Sequence, residues 1–196
     1  MNRLIGQLII GSTMVIVATF ATGVRADQAG GCARPWVFFD LGNTLVATPP
    51  DAGYRYIPGA HAYLRGLRAR GFHLGMITNI PETWGKTRAE KIGQLKKVIA
   101  DSWSKDAGVE PMDWSDFPDR LIIVPMHDTE RKPAPFTFEA ALARVALEEG
   151  RNDCPVYYEG EDPAEVKAAE TNGMRGYVVL RPGYPPFRPF KSGPHR

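Results

Sequence analysis

Cysteine and histidine are scarce. The 196 residues hold two cysteines and four histidines, with no Cys or His cluster among them, so nothing offers a soft, sulfur- or imidazole-rich metal site. A surplus of one charge is missing as well. Residues 1 to 26 contain two arginines and no acid, so beyond them the formal +2 falls to 22 basic against 22 acidic residues. That balance gives no argument for a nucleic-acid partner or for an anionic membrane surface. Internal repeats and low-complexity runs are also absent, and charged residues stand at an ordinary 23%.

The N-terminus reads as an address. Asn2 and Arg3 give a short polar, basic start, "LIIGSTMVIVATF" (8 to 20) an apolar core, and Val24 and Ala26 the small residues of a cleavage site. Cleavage is expected between Ala26 and Asp27, which sends the protein to the periplasm or out of the cell, with no membrane span afterwards. The alternative is an uncleaved anchor, since 21 residues separate Arg3 from Arg25 and that length just spans a bilayer. Residues 27 to 35 then form a short N-terminal segment, 36 to 182 a single domain, and 183 to 196 a Pro/Arg-rich irregular tail lying on the surface.

Five apolar runs alternate with helical patterns: "WVFF" (36 to 39), "HLGMIT" (73 to 78), "LIIVP" (121 to 125), "VYYE" (156 to 159) and "GYVVL" (176 to 180). Near-continuous apolarity suits strands covered on both faces. The intervening helices include "GAHAYLRGLRARG", with Ala60, Leu64 and Leu67 on one face, and a longer one opened by Pro81. "FTFEAALARVALEEG" packs Phe138, Leu142 and Val145, and "PAEVKAAETNG" carries proline at its start and glycine at its end. This order predicts an α/β fold, a three-layer doubly wound domain with a five-stranded parallel sheet.

Ligands in such sheets bind at the carboxyl ends of the strands, and those ends are where the chemistry lies. Strand one ends in Asp40, strand two in Thr78-Asn79, "ERKPAP" with Lys132 follows strand three, and "EGEDPAE" with Glu161 and Glu165 follows strand four. Each alone reads as a turn, cap or solvated charge. Together they bring a carboxylate, a hydroxyl, an ammonium and an acidic pair to one space.

At these motifs, "FFDLGNTL", "LGMITN", "RKPAP" and "YEGEDPAE", the chain resembles the haloacid dehalogenase superfamily of hydrolases, over about residues 36 to 180. The resemblance implies a Rossmann-like domain, a phosphorylated substrate and a Mg²⁺ cofactor. Asp40 would be the nucleophile that forms an aspartyl-phosphate. Thr78, Asn79 and Lys132 would hold the phosphoryl group, and Asp40, Gly42, Glu161 and Glu165 the metal.

Two positions depart from the family pattern. Gly42 stands where family phosphatases carry the acid that protonates the leaving group. It keeps a backbone carbonyl for the metal but offers no proton, so substrates with good leaving groups are favoured unless His127 or Asp128 substitutes. Glu161 stands where an aspartate is usual, one methylene longer, with Asp162 or Glu165 as compensating ligands. Only "ATPPDAGYRYIP" separates the first strand from the next helix, so any cap is minimal. An open site of that kind suits a large or macromolecular substrate, or is covered by a neighbouring subunit. Tyr54, Tyr56 and Trp84 are candidate rim aromatics.

In the implied fold, strands one and four are adjacent and parallel. Cys32 lies eight residues before Asp40 and Cys154 seven before Glu161, so the pair should meet as a disulfide at the opposite edge. Three readings follow. The first is a Mg²⁺-dependent phosphohydrolase, and the second a non-catalytic binding or scaffold protein on a degenerate fold. The third, carbon–halogen hydrolysis, lacks both the tyrosine and the cap that branch uses.

Overall fold

The computed structural model describes residues 32, 34–49, 52–106 and 108–190. The expected signal peptide, residues 1 to 26, and the last six residues of the tail lie outside them. Among the described residues, no helix is long and apolar enough to cross a membrane.

The apolar runs become strands. In chain order these are β1 (Trp36–Phe39), a small ribbon of β2 (Val46–Ala47) and β3 (Arg55–Tyr56), then β4 (His73–Ile77), β5 (Ile122–Ile123), β6 (Val156–Gly160) and β7 (Arg175–Val178). Five of them form one parallel sheet in the order β5-β4-β1-β6-β7. All four residues of β1 are buried, as a central strand sandwiched between helices requires. Its alternate side chains feed two cores. Val37 and Phe39 pack with Leu64 and Leu67 of α1 (Ala60–Ala69) and with Ile92, Leu95 and Ile99 of α2 (Arg88–Ser102). Trp36 and Phe38 pack with Phe138, Ala141 and Val145 of α3 (Phe136–Glu149) and with Val166 and Ala169 of α4 (Pro163–Thr171). The result is the expected three-layer α/β domain.

Two local expectations change. The helix read as starting at Pro81 begins instead at Thr87. Thr87 accepts the Glu90 N–H while the Glu90 side chain accepts the Thr87 N–H, and this reciprocal cap outcompetes the proline as a start signal. Residues Glu82–Trp84 form a separate 3-10 turn. The proline-rich tail is irregular but does not simply lie on the surface. Phe187 is buried and stacks on Tyr63, while Phe190 packs edge-on against Phe72 and Tyr157.

The tail also covers a buried acid. Glu159 on β6 is fully enclosed and accepts the Tyr63 hydroxyl (2.6 Å) and the Arg188 N–H (3.4 Å). Burial pushes its carboxyl up to about 7, against the donors and the Arg188 charge that pull it down. A raised folded-state value favours the protonated form, so the stability it contributes is complete below about 4.5 and is lost as pH climbs through about 7. Glu159→Gln should therefore gain on the parent by about 2–3 kcal/mol between pH 4.5 and 8, read as the gap between urea midpoints. A gap constant with pH would contradict this.

The cysteines meet as expected. Cys32 and Cys154 form a disulfide with a Cα separation of 5.4 Å, closing a loop of 122 residues. In the chain-entropy account such a closure is worth about 4 kcal/mol. The double replacement of Cys32 and Cys154 by serine should lower the melting temperature by roughly 10 °C. Catalytic constants at low temperature should stay unmoved, because the bridge precedes β6 whereas the site follows it. Scanning calorimetry together with a rate assay checks both halves.

Candidate active site

The sheet register sets the nucleophile's position. Phe39 pairs with Met76 on one side and Glu159 on the other, and the Asp40 N–H donates to the Glu159 carbonyl at 2.9 Å. Asp40 therefore emerges at the carboxyl edge of the central strand. The turn behind it closes through Val46 N–H to Leu41 O (2.9 Å) and Asn43 N–H to Val46 O (2.8 Å). Asn43 takes the left-handed conformation, φ 51°, which asparagine tolerates better than most residues. Gly42 is not in that region, and a Cβ built there meets nothing within 4 Å. Glycine at this position is thus not demanded by the backbone, and its carbonyl is used by neither turn bond.

Lys132 reaches this aspartate from the loop before α3. Its ammonium donates to Asp40 Oδ1 (2.5 Å), Glu165 Oε2 (2.6 Å) and the Tyr158 hydroxyl (2.9 Å), which uses all three of its hydrogens. Lys132 is only 5% exposed and Asp40 7%, so in this low-dielectric setting the ammonium must keep a carboxylate partner, and losing both would be costly. Asn79 spends both ends of its amide on the Lys132 backbone, accepting the N–H at 2.8 Å and donating to the carbonyl at 3.0 Å. It acts here as a fastener of the lysine loop, a different task from the phosphate ligand expected. Thr78, 6% exposed, lines the same cavity as Asp40, and among the described residues its hydroxyl has no hydrogen-bond partner. That leaves it available to an incoming group.

Two functional side chains escaped the sequence reading. Thr44 is fully buried, with its hydroxyl 3.2 Å from Asp40 Oδ2 and 3.0 Å from Glu161 Oε2 while it accepts the Glu161 N–H at 3.0 Å. Tyr158 accepts from Lys132 and donates to Glu165 at 3.0 Å. Burial, then the Asp40 and Glu165 charges, drive its phenol far above the ordinary range, so it stays neutral and orients the ammonium.

The donor set suits a hard divalent cation. Three carboxylates, Asp40, Glu161 and Glu165, stand around one ammonium, and Glu161 has no cationic partner among the described residues. Thr44 owns a single hydrogen and can satisfy only one of the two carboxylates beside it. Burial and the neighbouring Asp40 charge accordingly raise the Glu161 carboxyl well above its usual range. A Mg²⁺ ion prefers such oxygen donors, and Asp40 and Glu161 would hold it, with the Gly42 carbonyl as the further ligand that the resemblance implies. Glu165 faces Lys132 instead, which departs from its expected metal role. Among the described residues, the metal-capable trio within mutual reach is Cys32, Asp153 and Cys154, and its sulfurs are spent in the disulfide.

The substitute acids lie elsewhere. His127 Nδ1 is 3.1 Å from Glu82 Oε1, and the Asp128 N–H donates to Glu82 Oε2 at 3.1 Å, while Asp162 caps α4 by accepting the Ala164 N–H. Of the rim aromatics, Tyr54 and Trp84 line the cavity. Tyr56 instead stacks on His61 and accepts the Asp113 N–H. The ribbon is tied to the end of α2: Tyr54 N–H donates to Ser102 O and Ser104 N–H to Tyr54 O, both at 2.7 Å.

The chain resembles a phosphatase. It is 28% identical over 187 residues to a phosphoglycolate phosphatase from Rhodospirillum rubrum. The match covers 93% of this chain and 64% of that protein, so the chain spans less than two thirds of the length of the curated relative it matches. No family model matches the chain. A phosphatase relative, a nucleophile-type aspartate at the sheet's carboxyl edge and a buried lysine upon it all agree with the haloacid dehalogenase resemblance of the motifs.

Proposed function

We propose that the protein is a Mg²⁺-dependent phosphohydrolase of the haloacid dehalogenase type, acting through an aspartyl-phosphate on Asp40. The observation that carries this reading is the Asp40–Lys132 contact of 2.5 Å beside the unneutralised Glu161. Asp40 forms a bond to phosphorus as the phosphorus–oxygen bond to the leaving group breaks, and the leaving group departs with the electron pair. Water then attacks the same phosphorus, releasing inorganic phosphate and restoring the carboxylate, so one water is consumed per turnover. The Thr78 hydroxyl holds a phosphoryl oxygen where negative charge gathers, and Lys132 joins it by exchanging its Asp40 hydrogen bond for one to the phosphoryl group as Asp40 bonds to phosphorus. Asn79, Tyr158 and Glu165 keep the lysine in place. A bound Mg²⁺ would offset the repulsion between the carboxylate and the phosphate dianion.

Gly42 supplies no proton, and the two candidate substitutes are engaged elsewhere, His127 with Glu82 and Asp128 with Arg131. Substrates whose leaving groups depart unaided are therefore favoured: aryl phosphates, acyl phosphates and anhydrides. Work outside the cytoplasm fits the disulfide and the signal-like N-terminus.

A panel of phosphates spanning leaving-group acidity, assayed for phosphate release with and without Mg²⁺, tests this. The expected result is metal-dependent release that rises steeply with leaving-group acidity. Phosphoglycolate, whose name the relative carries, belongs in the panel as a poor-leaving-group ester. No release from any member, with or without metal, overturns the reading in favour of the non-catalytic binding protein. That second reading draws on Gly42 and on glutamate at position 161.

A further inference from the structure

The cavity that holds Asp40 extends well beyond the phosphoryl site. Its volume is about 290 Å³, far more than a phosphoryl group needs, and apart from Thr48 its remaining wall is largely apolar. Leu95, Val98 and Ile99 of α2, three and four residues apart on one helical face, line it together with Tyr54, Ile80 and Trp84.

Five cations near the wall are committed elsewhere. On α2, Arg88 donates to the carbonyls of Asp119 and Ile122, Lys91 to those of Pro81 and Glu82, Lys96 pairs with Asp119, and Lys97 pairs with Asp101. Arg131 donates to the Ile80 carbonyl and pairs with Asp128. No basic side chain appears among the described lining residues, whereas Glu161 and Glu165 do. A second anionic group on the substrate therefore finds two carboxylates and no cation in the cavity's lining. A flat apolar group finds a tryptophan, a tyrosine and four aliphatic side chains.

We infer that the apolar wall formed by α2, Tyr54 and Trp84 is the leaving-group subsite, and that it takes aryl phosphate monoesters in preference to esters bearing a carboxylate. This rests on the phosphohydrolase reading above and names its substrate class. Two independent features converge on one chemistry. Gly42 restricts turnover to leaving groups that depart without a proton, and the wall offers its area to a ring. Aromatic side chains are well suited to such a group because ring faces and edges attract beyond simple area burial.

The test compares phenyl phosphate with 4-carboxyphenyl phosphate, whose phenols differ little in acidity, and adds acetyl phosphate, whose leaving group is too small to reach the wall. All three are assayed with the full chain and Mg²⁺. The expected result is a kcat/KM for phenyl phosphate on the order of tenfold or more above that of its carboxylated partner. Val98 is half-buried at the wall, and Val98→Lys places an ammonium there that should shrink this ratio at least fivefold by favouring the carboxylate. Trp84→Ala offers a second route, raising KM for phenyl phosphate severalfold while leaving that for acetyl phosphate unmoved. Equal constants for the two aryl esters, unmoved by either variant while acetyl phosphate is still hydrolysed, overturn the subsite and leave the phosphohydrolase standing. Failure to hydrolyse any of the three overturns the phosphohydrolase itself, and the subsite with it.

Discussion

Asp40→Asn is expected to lower kcat by on the order of 10⁴-fold or more while leaving the protein folded. The amide cannot attack phosphorus, and the two neighbouring carboxylates are engaged, Glu165 with Lys132 and Tyr158 and Glu161 with Thr44. The loss should not be a folding defect. The substitution removes one of two carboxylates on Lys132, yet Glu165 still neutralises the ammonium, and the crowding between Asp40 and Glu161 is relieved. The melting temperature should accordingly stay level or rise. Two measurements together check this: phosphate release from an aryl phosphate, and mass spectrometry of acid-quenched protein, in which only the parent gains the mass of one phosphoryl group. Equal rates for parent and variant would remove Asp40 from the chemistry altogether.

Gly42→Asp is expected to produce a gain. The new Cβ has open space around it, and no left-handed backbone geometry stands in the way. A carboxylic acid two residues beyond the nucleophile can protonate a departing alkoxide, and general acid catalysis typically contributes 10²–10⁴-fold. Turnover of alkyl phosphates should therefore rise by about 10²-fold, whereas aryl phosphates, which need no proton, should change by less than about threefold. The slope of log kcat against leaving-group acidity flattens as a result. A parallel rise or fall for both classes would mean that the side chain acts through folding or metal affinity and not through proton delivery.

The parts of the molecule that were legible beforehand share one property, in that each is set by a pattern within its own segment. Continuous apolarity marked the sheet strands, and the Ala60–Leu64–Leu67 face of α1 followed from helical spacing. Because parallel sheets gather strand ends at one edge, Asp40 and Lys132 could be brought together before any coordinate was known.

What stayed hidden depends on contacts across the chain. Tyr158 sits in a buried strand and reads as apolar filler, and its hydroxyl gains a role only from Lys132, 26 residues away. Thr44 looks like part of a turn until Glu161, 117 residues on, arrives against it. Phe187 lay in a segment whose prolines rule out regular structure but say nothing about burial. The start of α2 is legible after all: Thr87 and Glu90 spell a reciprocal cap, and Pro81 is a competing signal six residues earlier.

The two backbone bonds between Tyr54 and the end of α2 join two parts of the cavity's surround, so the Tyr54 side resists swinging aside. Encounter with a fitting substrate should proceed in a single fast phase, without the lag of a swinging flap.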